Sequence, residues 1–148
     1  MHTPIPRSFR TLHLALFGLL LFSVTACSSP PMIEPVTTSI VGTAWSLCDL
    51  GGAPVPPPAP TLSFDEADRV HGNAGVNRFG GTISIEGASI RFGPLMSTRM
   101  AGPPERMELE QRYLKALDAA DRWELRDGVL TLYATGSVAA VFEAAAPR

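Results

Sequence analysis

The chain is expected to fold as a mainly β (α+β) domain of about eight short antiparallel strands with one packed helix. Three observations carry that expectation. Its 14 prolines and 13 glycines in 148 residues supply many turns and suit a β-rich fold better than a helix bundle. Between Arg69 and Gly102 the glycines stand at turn positions, and apolar and polar residues alternate between them, the period of a half-buried strand. Only Glu105 to Ala120 carries a convincing helical stripe.

Charge bounds the partners. Lys and Arg number 12 and Asp and Glu 14; with Arg7 and Arg10 in an expected leader, the mature chain keeps 10 basic residues against 14 acidic ones, or about −4. No nucleic-acid partner is expected, because a DNA or RNA binder presents a basic patch and these arginines are interleaved with acids.

The leader covers residues 1–26. Arg7 and Arg10 give it a positive start, Leu12 to Phe22 an apolar core, and Val24-Thr25-Ala26-Cys27 follows directly. This resembles the lipobox of bacterial lipoproteins. The resemblance implies that Cys27 is the lipid attachment residue and first residue of the mature protein, diacylated on its thiol and usually acylated on its amine. An uncleaved membrane anchor and a soluble secreted product are the other readings. The apolar core of about 11 residues is short of the roughly 20 that span a hydrocarbon core. Each buried methylene contributes about 0.8 kcal/mol, so three acyl chains would hold the protein on the membrane. In enteric members of that family serine after the cysteine usually goes with export to the outer membrane, so with Ser28 the resemblance implies a bacterial envelope protein anchored there and facing the periplasm. Residues 27–41 read as a tether rich in serine, threonine and proline.

The domain proper is placed at 42–143, with a tail at 144–148. Thr43, Trp45 and Leu47 alternate with their neighbours as a strand, and Leu50 breaks the parity. A bulge near Cys48 or Asp49 would return Leu50 to the inside. Gly51 to Pro54 ends the strand, and Val55 to Pro60 forms an extended loop because prolines donate nothing to a ladder. Thr61–Phe64 and Arg69–His71 make a hairpin over Asp65 to Asp68, whose carboxylates form a solvated turn more readily than a calcium loop. Strands follow at Thr82–Ile85, Ser89–Phe92 and Leu95–Thr98. Pro103-Pro104-Glu105 opens the helix, with Leu109, Tyr113, Ala116, Leu117 and Ala120 on one face and Glu108, Gln111, Arg112 and Lys115 on the other. Trp123–Leu125, Val129–Tyr133 and Val138–Phe142 return to period two. Asp127-Gly128 is a strong hairpin signal. Either Leu130 and Leu132 or Val129 and Thr131 point inward.

The order of these parts resembles the META domain, the HslJ-like heat-shock lipoprotein family. The resemblance runs from Trp45-Ser46-Leu47 through Gly75-Val76-Asn77-Arg78-Phe79-Gly80-Gly81 and Ser97-Thr98-Arg99-Met100-Ala101, past the helix, to Asp127–Leu132 and Phe142. It implies a small antiparallel β-barrel-like sheet with one helix, often exported and tied to envelope stress or secretion, and no known reaction. Where the family often has cysteines that would cross-link, this chain has Val76 and Gly102. Losing that closure forfeits about 3 kcal/mol in the chain-entropy model, so packing must supply the difference. Cys48 is then the one thiol of the domain, inert if packed and open to pairing if the bulge turns it outward.

Catalytic residues are not expected. His71 is the sole mature histidine and no nucleophile elbow accompanies it. No metal site and no cofactor are expected either, for want of ligands and of a phosphate-cradling loop. Asn77, Arg78 and Arg99, with Arg106, are polar groups available to a ligand surface, although Asn77 also suits turn backbone. The functional expectation is a non-enzymatic envelope lipoprotein that binds an unknown protein or small molecule, or supports envelope integrity under stress. The alternative is a lipid-anchored inhibitor of a hydrolase such as lysozyme or a protease.

Overall fold

The structure, a computed structural model, describes residues 39–66 and 68–145. The leader, Cys27 and the tether up to residue 38 lie outside the described residues. Ten strands and one helix follow in chain order: β1 (Ala44–Leu50), β2 (Ala53–Pro54), β3 (Thr61–Asp65), β4 (Arg69–Asn73), β5 (Arg78–Glu86), β6 (Ser89–Phe92), β7 (Met96–Ser97), α1 (Pro104–Ala119), β8 (Arg122–Arg126), β9 (Val129–Ala134) and β10 (Ser137–Ala144). Eight of the strands, β1-β3-β4-β5-β6-β8-β9-β10, pair antiparallel around a ring, and β10 pairs back onto β1. The sheet is therefore a closed barrel, which leaves no open edge along the ring. β2 adds to β1 and β7 to β5 outside it.

Register and burial explain the alternation. Leu47 pairs with Phe142 and Asp49 with Val141, so Cys48 is the extra residue of a bulge and Leu50 returns to the core at 3% exposure. A second irregularity between Val138 and Ala140 turns Val138 outward while Ala140 and Phe142 are buried. Leu130 and Leu132 are the inward pair of β9. Asp127 and Gly128 both hold positive φ, 52° and 78°, as a two-residue hairpin turn requires. At Gly72 a Cβ would lie 2.0 Å from the Thr61 carbonyl oxygen, so two backbones meet there only because the side chain is absent.

The structure moves several expected boundaries. Ile40, placed in the tether, is buried in the core, and Gly42 N–H donates to Phe64 O at 2.8 Å. Ile40 and Val41 form an adjacent apolar pair that shows no alternation before Gly42, so the domain begins earlier than the pattern does. β5 starts at Arg78, ahead of the expected Thr82, because Phe79 and Arg78 extend the β4 ladder. The expected strand at Leu95–Thr98 shrinks to the two residues of β7.

The helix starts on Pro103-Pro104, with Glu105 in the first turn, and ends where Ala120 turns extended. It packs against β10, β9 and β6. Tyr113 enters the barrel: its ring lies edge-on to Phe79 of β5 at 5.8 Å and tilted against Phe142 of β10 at 6.2 Å, and its hydroxyl donates to Thr61 O of β3 at 3.2 Å. With Leu117 fully buried one turn on, the helix stoppers the barrel.

Candidate functional site

The densest polar constellation joins α1 to the loop between β4 and β5. Asn73 Oδ1 accepts from Gly75 N–H at 2.8 Å and Ala74 N–H donates to Asn77 O at 2.8 Å, which folds the loop tightly. The N–H groups of Val76 and Asn77 then point at α1. Glu110 Oε2 accepts both, at 3.2 and 2.8 Å. Asn77 Nδ2 donates to Glu110 Oε1 at 2.8 Å and to Met100 O at 3.1 Å, while Asn77 Oδ1 accepts from Thr98 Oγ1 at 2.8 Å and Met100 N–H at 2.7 Å. Asn77 is 1% exposed and Glu110 5%. Every donor and acceptor of the Asn77 amide is thus used inside the protein. Hydrogen bonds to a charged group contribute about 1.5–3 kcal/mol each, so a non-polar residue at 110 would strand three donors at a cost of several times that of an ordinary bond.

This junction fastens the middle of α1, which no ladder reaches, to the β4–β5 loop and the chain after β7, which the short β5–β7 pairing already brings side by side. Above it lies a shallow depression of about 470 Å³ walled by Arg99, Met100, Met107, Gln111 and Leu114. The structure therefore brings Asn77 and Arg99 to one place, Asn77 as its buried support and Arg99 on its exposed rim. Arg78 is exposed, and its contribution there is backbone: its N–H donates to Thr98 Oγ1 at 3.3 Å and its carbonyl accepts from Thr98 N–H at 3.0 Å. Arg106 points elsewhere, donating from Nη1 to Pro58 O at 2.7 Å.

Val76 and Gly102 touch. A Cβ built on Gly102 would stand 3.4 Å from Val76 Cβ and 2.6 Å from Val76 Cγ2. Paired cysteines hold their Cβ atoms about 3.5–4.5 Å apart, so these two positions are spaced at the short end of a disulfide. The valine methyls fill the volume that the glycine leaves open.

A second depression, of about 280 Å³, lies between the strand pair β1–β2, the proline loop and the first half of α1. Leu50, Val55 and Leu109 floor it, Pro54 and Pro56 wall it, and Glu105, Arg106 and Arg112 stand at its rim. Sequence reasoning missed this cleft. Arg112 was legible only as part of a solvent face, and nothing local shows that the proline loop folds back onto the helix.

The remaining candidates are placed as follows. His71 Nδ1 is 3.2 Å from Asp65 Oδ2 on the outer face of the β3–β4 hairpin, with both side chains about half exposed. Cys48 is half-buried at the bulge, and its thiol donates to Val141 O at 3.1 Å. Burial, followed by the nearby Glu143 and Asp49 carboxylates, raises this thiol above its usual 9.0, which keeps it protonated and slow to react at neutral pH. Among the described residues, no group of three or more His, Cys, Asp or Glu side chains is arranged to hold a metal ion. No described helix is long and apolar enough to cross a membrane.

A model of the META domain matches residues 38–146. Among solved structures, the chain is similar to an NMR structure of a protein from Burkholderia xenovorans at 24% identity and a TM-score of 0.61, over 73% of this chain and 85% of that one. A second NMR structure is also 24% identical, with a TM-score of 0.56, over 69% and 88% of the two chains. A crystal structure of a DUF4847 family protein from Bacteroides vulgatus is 13% identical, with a TM-score of 0.53, over 70% and 93%. These likenesses establish a shared fold. No curated protein matches the chain.

Proposed function

The chain belongs to the META domain family, and we propose that it is a non-enzymatic, HslJ-like lipoprotein of the bacterial envelope. Acyl chains on Cys27 hold it on the outer membrane, facing the periplasm, and its barrel binds a partner there through its outer surface in support of envelope integrity or secretion. The anchor is supported by Val24-Thr25-Ala26-Cys27 behind a charged and then apolar leader. The binding mode is supported by the stopper: Tyr113, fully buried between Phe79 and Phe142, occupies the interior in which an open barrel would take a ligand. Recognition therefore falls to the outside, where the Asn77–Glu110 junction and the cleft at Leu50, Val55 and Leu109 are held in fixed geometry.

Mass spectrometry of membrane-extracted protein is expected to show an acylated N-terminal fragment beginning at Cys27, and none from a Cys27→Ala variant. An unmodified Cys27 in the wild-type protein would overturn the anchor. A hydrolase panel is expected to stay flat. Turnover that disappears in His71→Ala would overturn the non-enzymatic reading.

A further inference from the structure

The cleft between the proline loop and α1 combines an apolar floor with cations that no carboxylate of the described residues neutralises. Leu50 is buried beneath it, and Val55 and Leu109 are half-buried against the core. Arg106 holds the loop to the helix through the Pro58 carbonyl and so shapes the far wall. Arg112 stands at the other end, and beyond it a neighbouring depression lined by Leu50, Ala116 and Ala139 adds Lys115. Among the described residues neither Arg112 nor Lys115 has a carboxylate within ion-pair distance. Two unpaired cations bordering an apolar floor complement a group that is anionic at one end and apolar along the rest.

The wall selects among such groups. Pro54 and Pro56 have no N–H, and the N–H of Val55 is already given to Cys48 O at 2.9 Å. An extended peptide would find no free N–H along Pro54 to Pro56, whereas an acyl chain needs none. The cleft's volume of about 280 Å³ falls just below the usual range of ligand pockets, about 300–1,000 Å³, which suits a single short chain. Glu105 stands at the Arg106 end and repels an anion there, so the charged head belongs at Arg112 and Lys115. An arginine fork there can grip a carboxylate through two parallel hydrogen bonds.

We propose that this cleft binds an anionic amphiphile, an acyl chain ending in a carboxylate, with the chain on Leu50, Val55 and Leu109 and the head between Arg112 and Lys115. The proposal rests on the outer-surface binding reading and names one ligand class for it. The full chain, held in phosphatidylcholine nanodiscs, is titrated with octanoate while NMR follows the methyl groups of Leu50, Val55 and Leu109. Saturable shifts at these methyls are expected, and hexanoate should bind more than tenfold more weakly, at about fourfold for each methylene lost. Arg112→Glu, on an exposed helix position, should weaken octanoate at least tenfold, whereas Arg69→Glu, the same charge change at an exposed position of β4, should leave it unchanged. Equal shifts from acetate, equal binding of octylammonium, or an Arg112→Glu variant that binds as wild type would each overturn the site. An unacylated Cys27 or a catalytic turnover would instead strike the function on which it rests.

Discussion

Val76 and Gly102 share one volume, and the sharing is tight enough to be tested. The Cβ that alanine would place at 102 falls 2.6 Å from a Val76 methyl, so Gly102→Ala should destabilise the domain unless the loop at 76 yields. Removing the valine branch and adding both sulfurs should do the opposite. The double variant Val76→Cys with Gly102→Cys is expected to form a disulfide under air oxidation and to raise the urea midpoint by about 3 kcal/mol of stability, which reduction should abolish. A thiol titration that finds both cysteines free after oxidation would show that the two positions do not face each other. At this scale the sequence was legible in part: Asn77 stands in the bend between β4 and β5, as a turn residue should, but its side chain serves Thr98, Met100 and Glu110 instead of the turn backbone, and the side chain that bonds within the loop is that of Asn73. Glu110 was not legible. On a helical wheel an acid counts as solvent-facing, and its burial at 5% depends on three donors that the wheel cannot see, two of them backbone N–H groups more than thirty positions earlier in the chain.

The helix is the element on which the interior depends, and Tyr113 makes that dependence measurable. Complete burial pushes its phenol well above the usual 10.0. The folded state therefore holds this proton more tightly than the unfolded chain does. Its stabilising effect is fully present below pH 10 and is lost as pH climbs from 10 toward the raised folded value. Alkaline destabilisation is thus expected above pH 10, and Tyr113→Phe should lessen its steepness while lowering stability at pH 7 by about 1 kcal/mol through loss of the bond to Thr61 O. Denaturant midpoints measured from pH 7 to 11 check both effects; identical alkaline slopes in the two proteins would place Tyr113 outside the core. The helix itself was readable to within one residue at each end, since its stripe and its proline start are local signals. What it covers was not, because the stripe says only that something apolar lies opposite.

At the scale of the whole molecule the barrel has two seams of unequal strength. β1 and β10 pair from Trp45↔Ala144 to Leu50↔Ala140, and Ala145 N–H continues the contact by donating to Ala44 O at 2.9 Å. β6 and β8 share the single pair Ser89↔Arg122, flanked by Trp123 N–H to Ala88 O at 2.9 Å and Ile90 N–H to Asp121 O at 3.2 Å. The hairpins between these seams were legible because each is made by neighbours in sequence. Closure was legible only through the family resemblance, which implies a barrel-like sheet, and not from the residues, since it joins positions such as Cys48 and Val141, 93 residues apart along the chain, and alternation alone does not name a strand's partner. The strong seam spans the largest sequence separation and so carries the greatest loop-closure cost, and it sets Phe142 and Ala140 of β10 against Leu47 and Leu50 of β1 in the core. Deleting residues 137–148 should leave no cooperative unfolding transition and no near-UV signal, with Leu47 and Leu50 uncovered. Replacing Met96 and Ser97 of β7 by glycine, outside the ring, should lower the midpoint and keep the transition sharp. A cooperative transition in the truncated chain would show that the other seven strands of the ring and the helix suffice, and that pairing between the first and last strands does not govern folding.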